Sequence, residues 1–339
     1  MKALLVLAGL SVLALVHELA HAAAARAFAM RITSFSLGLG PPLLRRRWGE
    51  VALLVGPIPF GGYVRVAEMT PEHADAGRFR ATAIMARLLV ILAGPTANYL
   101  LAAICATIIG ISSGLETGRI LGLEVTAVSD HAAESGLRVG DVLVAVQDRP
   151  IQQIADLSPA LEEGSGGDAR LRVLREGVEI RLTGHPQRAA DGRWGLGARY
   201  IARPELRRAG LSAAVGFGLA YPVVCSAGLL QSGARLLVPN SEVRIVSPVG
   251  LADRVARSGA WDVRRVLSLA ALMSVVVGLF NLLPVPGLDG GRLCLESVEG
   301  IAGRRMAPRV AMAIQLGAVV LLALLWLLVT VRDVASLLR

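Results

Sequence analysis

His17, Glu18 and His21 form an H-E-x-x-H motif inside an otherwise apolar run. Read as helix, the two histidines stand one turn apart on one face, a spacing at which two neutral imidazoles grip one zinc ion. Glu18 lies beside them, placed to take a proton from the metal's water. A chance match is the rival reading. Residues 3–16 and 22–25 hold no charge, however, so Glu18 would sit at membrane depth, where an ionisable side chain is costly and marks a functional site. A second carboxylate of this kind is Asp289, in the stretch Asn281-Leu282-Leu283-Pro284-Val285-Pro286-Gly287-Leu288-Asp289-Gly290-Gly291. Its prolines and glycines stop a helix, and irregular backbone is tolerated at membrane depth only where protein buries it or it lines a cavity. Asp289 therefore needs a partner. Glu296 and Glu299 are the fallback metal ligands, but they follow Arg292 and are expected in a cytoplasmic turn.

The elements that must carry these groups belong to a polytopic α-helical membrane protein. The chain has 339 residues, of which 54% are hydrophobic, and a mean hydropathy of +0.59, too apolar for an ordinary soluble protein. The formal charge of +9 is carried almost wholly by arginine, Lys2 being the only lysine. It collects between apolar runs, as in cytoplasmic loops, and implies no nucleic-acid partner. Cys105, Cys225 and Cys294 lie far apart in apolar stretches and suggest neither a disulfide framework nor a thiolate zinc site.

Residues 1–25 are expected as the first transmembrane helix. A cleaved secretory signal is the alternative, though its core would then hold His17, Glu18 and His21. Residues 26–82 read as a cytoplasmic loop, because arginines outnumber acids there. Within it, 34–40, 51–55 and 58–66 read as short strands. So apolar a sheet should touch the bilayer or the mouth of the active site, the alternative being a small solvated hairpin. Residues 83–111 are the second span. Its Ala93-Gly94-Pro95-Thr96-Ala97-Asn98 stretch requires a packed partner or a kink, and Asn98 reads equally as a structural bridge or a catalytic group.

Residues 115–200 carry half of the chain's acids and no long apolar run. Strands are expected at 123–128, 142–147, 169–174 and 178–182, with short helices at 132–135 and 154–162. The segment from His131 to Leu143, with its Gly136-Leu137-Arg138-Val139-Gly140-Asp141 core, resembles bacterial PDZ domains, which take an extended peptide onto a sheet edge. Residues 205–258 read as an interfacial or re-entrant segment, 261–291 as the third span and 311–331 as the fourth.

These pieces come in the order found in bacterial site-2 proteases. H-E-x-x-H, Gly61-Gly62-Tyr63-Val64-Arg65, residues 93–98, one PDZ-like insert and residues 281–291 together resemble the regulator of sigma-E protease branch over essentially the whole chain. The resemblance implies an intramembrane zinc metalloendopeptidase with His17, His21 and Asp289 as Zn2+ ligands and Glu18 as catalytic base. It implies a membrane-associated β-hairpin region in which Gly61, Gly62 and Tyr63 guide substrate, and a substrate path lined by Asn281, Pro284 and Pro286. Gly287 departs from the family, many relatives carrying a larger residue there. Expected partners are the lipid bilayer, single-pass membrane substrates such as anti-sigma factors or signal-peptide remnants, and a peptide ligand of the insert. The expected location is the bacterial inner membrane, with the insert on the outer side. A catalytically dead scaffold and a metal transporter are the competing classes. The first conflicts with intact His17, Glu18, His21 and Asp289. The second should show further intramembrane carboxylates or histidines in 83–111 or 311–331, and the sequence has none.

Depth matching adds a topological expectation. Asp289 must reach the zinc held near the cytoplasmic end of the first span, so the third span should enter from outside, where the insert lies. The apolar run 211–230 then cannot be a lone crossing. It should lie on the outer surface or dip in and return, giving four spans with both termini outside.

Overall fold

The computed structural model describes residues 2–69, 84–163, 167–188, 192–235 and 263–302, together with 307, 309–310, 313–318, 320, 324, 327, 330 and 331. These fall into two compact units. The first begins with helix α1 (Lys2–Ala27) and a sheet of β1 (Ile32–Leu39), β2 (Leu44–Trp48), β3 (Val51–Val55) and β4 (Ile58–Val66). The strand order is β2-β3-β1-β4, with β1 parallel to β3 and antiparallel to β4. β1 alternates buried and half-buried residues. Ile32 packs with Val64, Val66, Ala25 and Val90, which fastens the sheet to the end of α1 and the start of the next helix.

That helix, α2 (Ile84–Ser113), runs without interruption through Pro95. The other unit follows. Its main sheet is formed by β5 (Leu115–Val128), β6 (Val142–Val146), β7 (Arg149–Pro150), β8 (Ala169–Arg175), β9 (Val178–Gly184) and β12 (Ala198–Arg207), in the order β12-β5-β6-β8-β9 with β7 paired to β6. A two-stranded ribbon joins β10 (Gln187–Arg188) to β11 (Trp194–Gly195). Helices α3 (Asp130–Glu134) and α4 (Leu157–Glu162) complete it, around a core that includes Leu123, Leu143, Leu161, Leu171 and Val173. At its edge the buried Asp141 carboxylate takes two hydrogen bonds from the Arg175 guanidinium, both 2.8 Å, and one from the Arg138 N–H. Strand β12 passes the expected boundary at 200, so residues 205–207 belong to this sheet and not to a membrane segment.

The first unit resumes with α5 (Leu211–Arg235), α6 (Val263–Leu282) and α7 (Asp289–Ala302). Residues Ala8–Ala27 of α1, and α2, α5 and α6, are long and apolar enough to cross a membrane. The protein is thus a polytopic membrane protein with inserted β structure. The described positions between 309 and 331 are also helical.

Contacts along α2 set the helix directions. A Cβ at Gly218 of α5 would collide with the Thr107 side chain and the Ala103 carbonyl, while Ser226, two turns on, bonds the Tyr99 hydroxyl at 2.6 Å. Helix α5 therefore runs antiparallel to α2. On α6, Ser274 donates to the Asn98 carbonyl at 2.9 Å, and Gly278 packs on Pro95 and Tyr99, so α6 descends α2 as well. Both α5 and α6 start on the side where α2 ends.

Two expectations are corrected. The glycines and Pro222 do not turn the chain back within 211–235, which is one continuous helix: Gly218 permits close packing, and one proline forfeits only one helical hydrogen bond. Residues 236–258 of the expected interfacial or re-entrant segment lie outside the described residues. Asp289 is not in broken backbone but is the first residue of α7, so 289–302 is helix where a loose turn was expected. The break is confined to 283–288, where Gly287 takes φ +97°.

Candidate metal centre

Helix α1 places His17 and His21 on one face with ring centroids 4.7 Å apart, edge to face. Their Nε2 atoms are 3.2 Å apart. Asp289, at the start of α7, brings Oδ2 to 2.9 Å from His17 Nε2 and 3.2 Å from His21 Nε2. Among the described residues this is the one cluster of three His, Cys, Asp or Glu side chains able to hold a metal. Tetrahedral zinc with bonds of about 2.0–2.1 Å has donor atoms roughly 3.3 Å apart, so the triangle fits one face of such a site.

The far sides of the rings fix the same answer. His21 Nδ1 donates to the Val90 carbonyl at 2.7 Å, which leaves a lone pair on Nε2. His17 Nδ1 meets the Asn98 amide at 3.1 Å. Asn98 is fully buried, and its Oδ1 has no partner. Turning the amide end for end gives Oδ1 the His17 Nδ1 proton and frees His17 Nε2 as a ligand. The orphaned oxygen and the donor set thus both suit a zinc ion.

Glu18 stands outside the triangle. It packs on β4, where a Cβ at Gly62 would lie 3.1 Å from Glu18 Cγ and 2.5 Å from the Ser36 carbonyl. From α2, Gly94 presses on both rings: a Cβ there would collide with His21 Nε2 and stand 2.7 Å from His21 Cε1 and 2.8 Å from His17 Cε1. Position 17 faces 98 and position 21 faces 90, so α1 too runs antiparallel to α2.

The structure brings together His17, His21 and Asp289, with Glu18 and Gly62 beside each other. It does not join the other expected substrate residues to them. Gly61 takes φ +96° over the Leu39 side chain, and Tyr63 lies under the Arg65 guanidinium, 5.2 Å from ring centre. Asn281 donates to the Val277 carbonyl of its own helix, while Pro284 and Pro286 form the turn before α7. Val90 went unnoticed in the sequence because a backbone acceptor carries no residue signature. Glu296, the fallback ligand, pairs instead with Arg87 at 3.0 Å.

The model of peptidase family M50 matches residues 5–325. Relatives named "putative zinc metalloprotease" include two that align over most of the chain. One, from Nostoc sp., is 28% identical over 99% of this chain and 97% of its own length. The other, from Rhizobium meliloti, is 31% identical over 88% of this chain and 87% of its own. Metalloprotease MmpA of Caulobacter vibrioides is 28% identical over 87% and 85%.

Proposed function

Because the chain belongs to peptidase family M50, a family of zinc metalloproteases, we propose that it cleaves peptide bonds inside transmembrane segments of other membrane proteins. His17, His21 and Asp289 hold the zinc, and Glu18 is the catalytic base. The observation that carries this reading is the convergence of the three ligand atoms within 4.8 Å of one another, two of them on α1, a helix apolar enough to cross a membrane.

Zinc bound there supplies a Lewis acid for the scissile carbonyl and brings a water's pKa toward neutrality. Glu18, beside the triangle and not in it, accepts the proton of the attacking water and returns it to the leaving amine. Val90 and Asn98 keep each imidazole in the tautomer that ligates. A helical substrate hides its carbonyls in internal hydrogen bonds and must unwind before attack. Strand β4, which meets Glu18 at Gly62, is a surface along which an unwound segment could be held by strand pairing.

The arginine-rich stretch around Arg45–Arg47 assigns the sheet of the first unit to the cytoplasm. With α1, α5 and α6 antiparallel to α2, the β-rich insert then lies outside, in the periplasm or its equivalent. Its sheet ends in β12 and β9, and the Gly136–Asp141 stretch supports a PDZ-like role in receiving a peptide at such an edge. Single-pass proteins such as anti-sigma factors, in regulated intramembrane proteolysis, fit a site of this depth. Reconstituted protein, incubated with a labelled single-pass substrate, should cut within the apolar segment, stop on chelation and resume with zinc. Mass spectrometry placing every cut in water-soluble flanks would overturn the intramembrane assignment.

A further inference from the structure

Arg87 and Glu296 are buried, 7% and 13% exposed in their side chains, and form an ion pair at 3.0 Å that the mechanism above does not use. They join α2 to α7, the helix that begins with the third ligand. Seven residues, two helical turns, separate Asp289 from Glu296, so the two carboxylates project from one face of α7. On α2, Arg87 lies one turn before Val90, whose carbonyl holds His21. At the far end of α7, a Cβ at Gly300 would collide with the Ile84 side chain. Helix α7 is therefore docked on the first turns of α2 in three steps: Gly300 on Ile84, Glu296 on Arg87, and Asp289 on the imidazole that Val90 anchors.

The turn 283–288 leaves α7 free of α6's hydrogen-bond ladder, so something else must fix its rotation. Gly290 and Gly291 pack against the carbonyls of Leu282, Leu283 and Val285. Contacts of small residues allow close approach but say little about rotation about the helix axis. A buried ion pair does, because breaking it strands a charge. We propose that Arg87 and Glu296 are positioning residues that fix α7 in rotation and so aim the Asp289 carboxylate at the two histidines. The proposal rests on Asp289 being the third zinc ligand.

The test uses full-length protein in detergent, with zinc affinity measured by chelator competition and ligand geometry by the visible absorption of the cobalt(II) form. Glu296→Gln keeps the side chain's shape and removes its charge. It should weaken zinc 10–100-fold, the usual effect of losing a partner behind a ligand, and should shift the cobalt bands. The charge-swapped double variant, Arg87→Glu with Glu296→Arg, should recover at least tenfold of that loss. Should the swap aggregate, the Glu296→Gln affinity and spectrum alone decide. Asp289→Ala is measured beside them. If Asp289→Ala keeps zinc, the ligand assignment falls, and the proposal with it. If Asp289→Ala loses zinc while Glu296→Gln matches wild type in affinity and spectrum, the ligand assignment stands and the positioning role is refuted. Failure of a soluble, monodisperse swap to recover zinc also refutes it.

Discussion

Gly94→Ala separates the needs of the helix from the needs of the metal. In an ordinary helix interior the change gains about 1 kcal/mol. Here the new methyl would collide with His21 Nε2 and stand 2.7 Å from His21 Cε1 and 2.8 Å from His17 Cε1. Ordinary contact begins near 3.4 Å, so the rings must retreat by roughly 0.6–0.7 Å at their Cε1 atoms and by more at His21 Nε2, or α1 must move off α2. Zinc–ligand distances tolerate only about 0.2 Å. Overpacking costs about 1–3 kcal/mol, so the net stability change should be small, between neutral and about 2 kcal/mol unfavourable. Zinc affinity should fall at least about 100-fold, beyond what loss of an outer partner does. The assay pairs a thermal melt of metal-free protein with chelator competition for zinc. Wild-type zinc affinity in Gly94→Ala would refute the claim that this glycine exists to let two imidazoles in.

Glu18→Gln should lower cleavage of a transmembrane substrate by about 10²–10⁴-fold while zinc stoichiometry, read by elemental analysis, stays at the wild-type value. A Cys at Val263, in a background cleared of the native cysteines, should react with an impermeant thiol reagent added from outside, because α6 starts where α2 ends; protection there would reverse the topology. In the insert, burial opposes ionisation of Asp141, but the Arg175 guanidinium and the Arg138 N–H outweigh it and hold its carboxyl below the ordinary 3.8. The sign follows: this pair stabilises fully above pH 3.8 and is lost as pH falls through the lower folded value. Asp141→Asn should therefore lower the insert's melting temperature at neutral pH and flatten its acid dependence, and an unchanged melting curve would contradict that.

The parts of the fold that announced themselves were those with a strong local pattern. The apolar runs of α1 and α2, and strands β3 and β4, fall within a few residues of expectation, while α6 ends at Leu282, nine residues short of the expected span. Strand β2, Leu44-Arg45-Arg46-Arg47-Trp48, was missed because it is an edge strand exposed on both faces, so no alternation marks it. Strand β12 was missed, no strand being expected beyond 182; its Pro204 lies on an edge strand, where proline is tolerated. Helix α7 was hidden by the glycine pair at its start, Gly290 and Gly291, which is there for close packing and not for a loop. At the site, the residue types were legible but the pairings were not. Asn98 was visible as a buried amide with two possible uses, yet only the fold brings it to His17, 81 positions away. Arg87 carried no signal in the sequence and Glu296 read as a fallback ligand, and 209 residues separate the two.

The distance in sequence between the first and last ligands also governs biosynthesis. His17 and Asp289 are 272 residues apart. At about 5–20 residues per second, the ribosome needs on the order of 15–50 s to go from one to the other. During that interval α1 and α2 can already have met, with two imidazoles in place and no third donor. A nascent chain therefore holds a weak, incomplete metal site beside the translocation machinery and its many apolar clients. Peptide hydrolysis awaits the emergence of α7, which carries Asp289. Under the proposed function, the order of its own synthesis thus keeps the metalloprotease inert among unassembled membrane proteins.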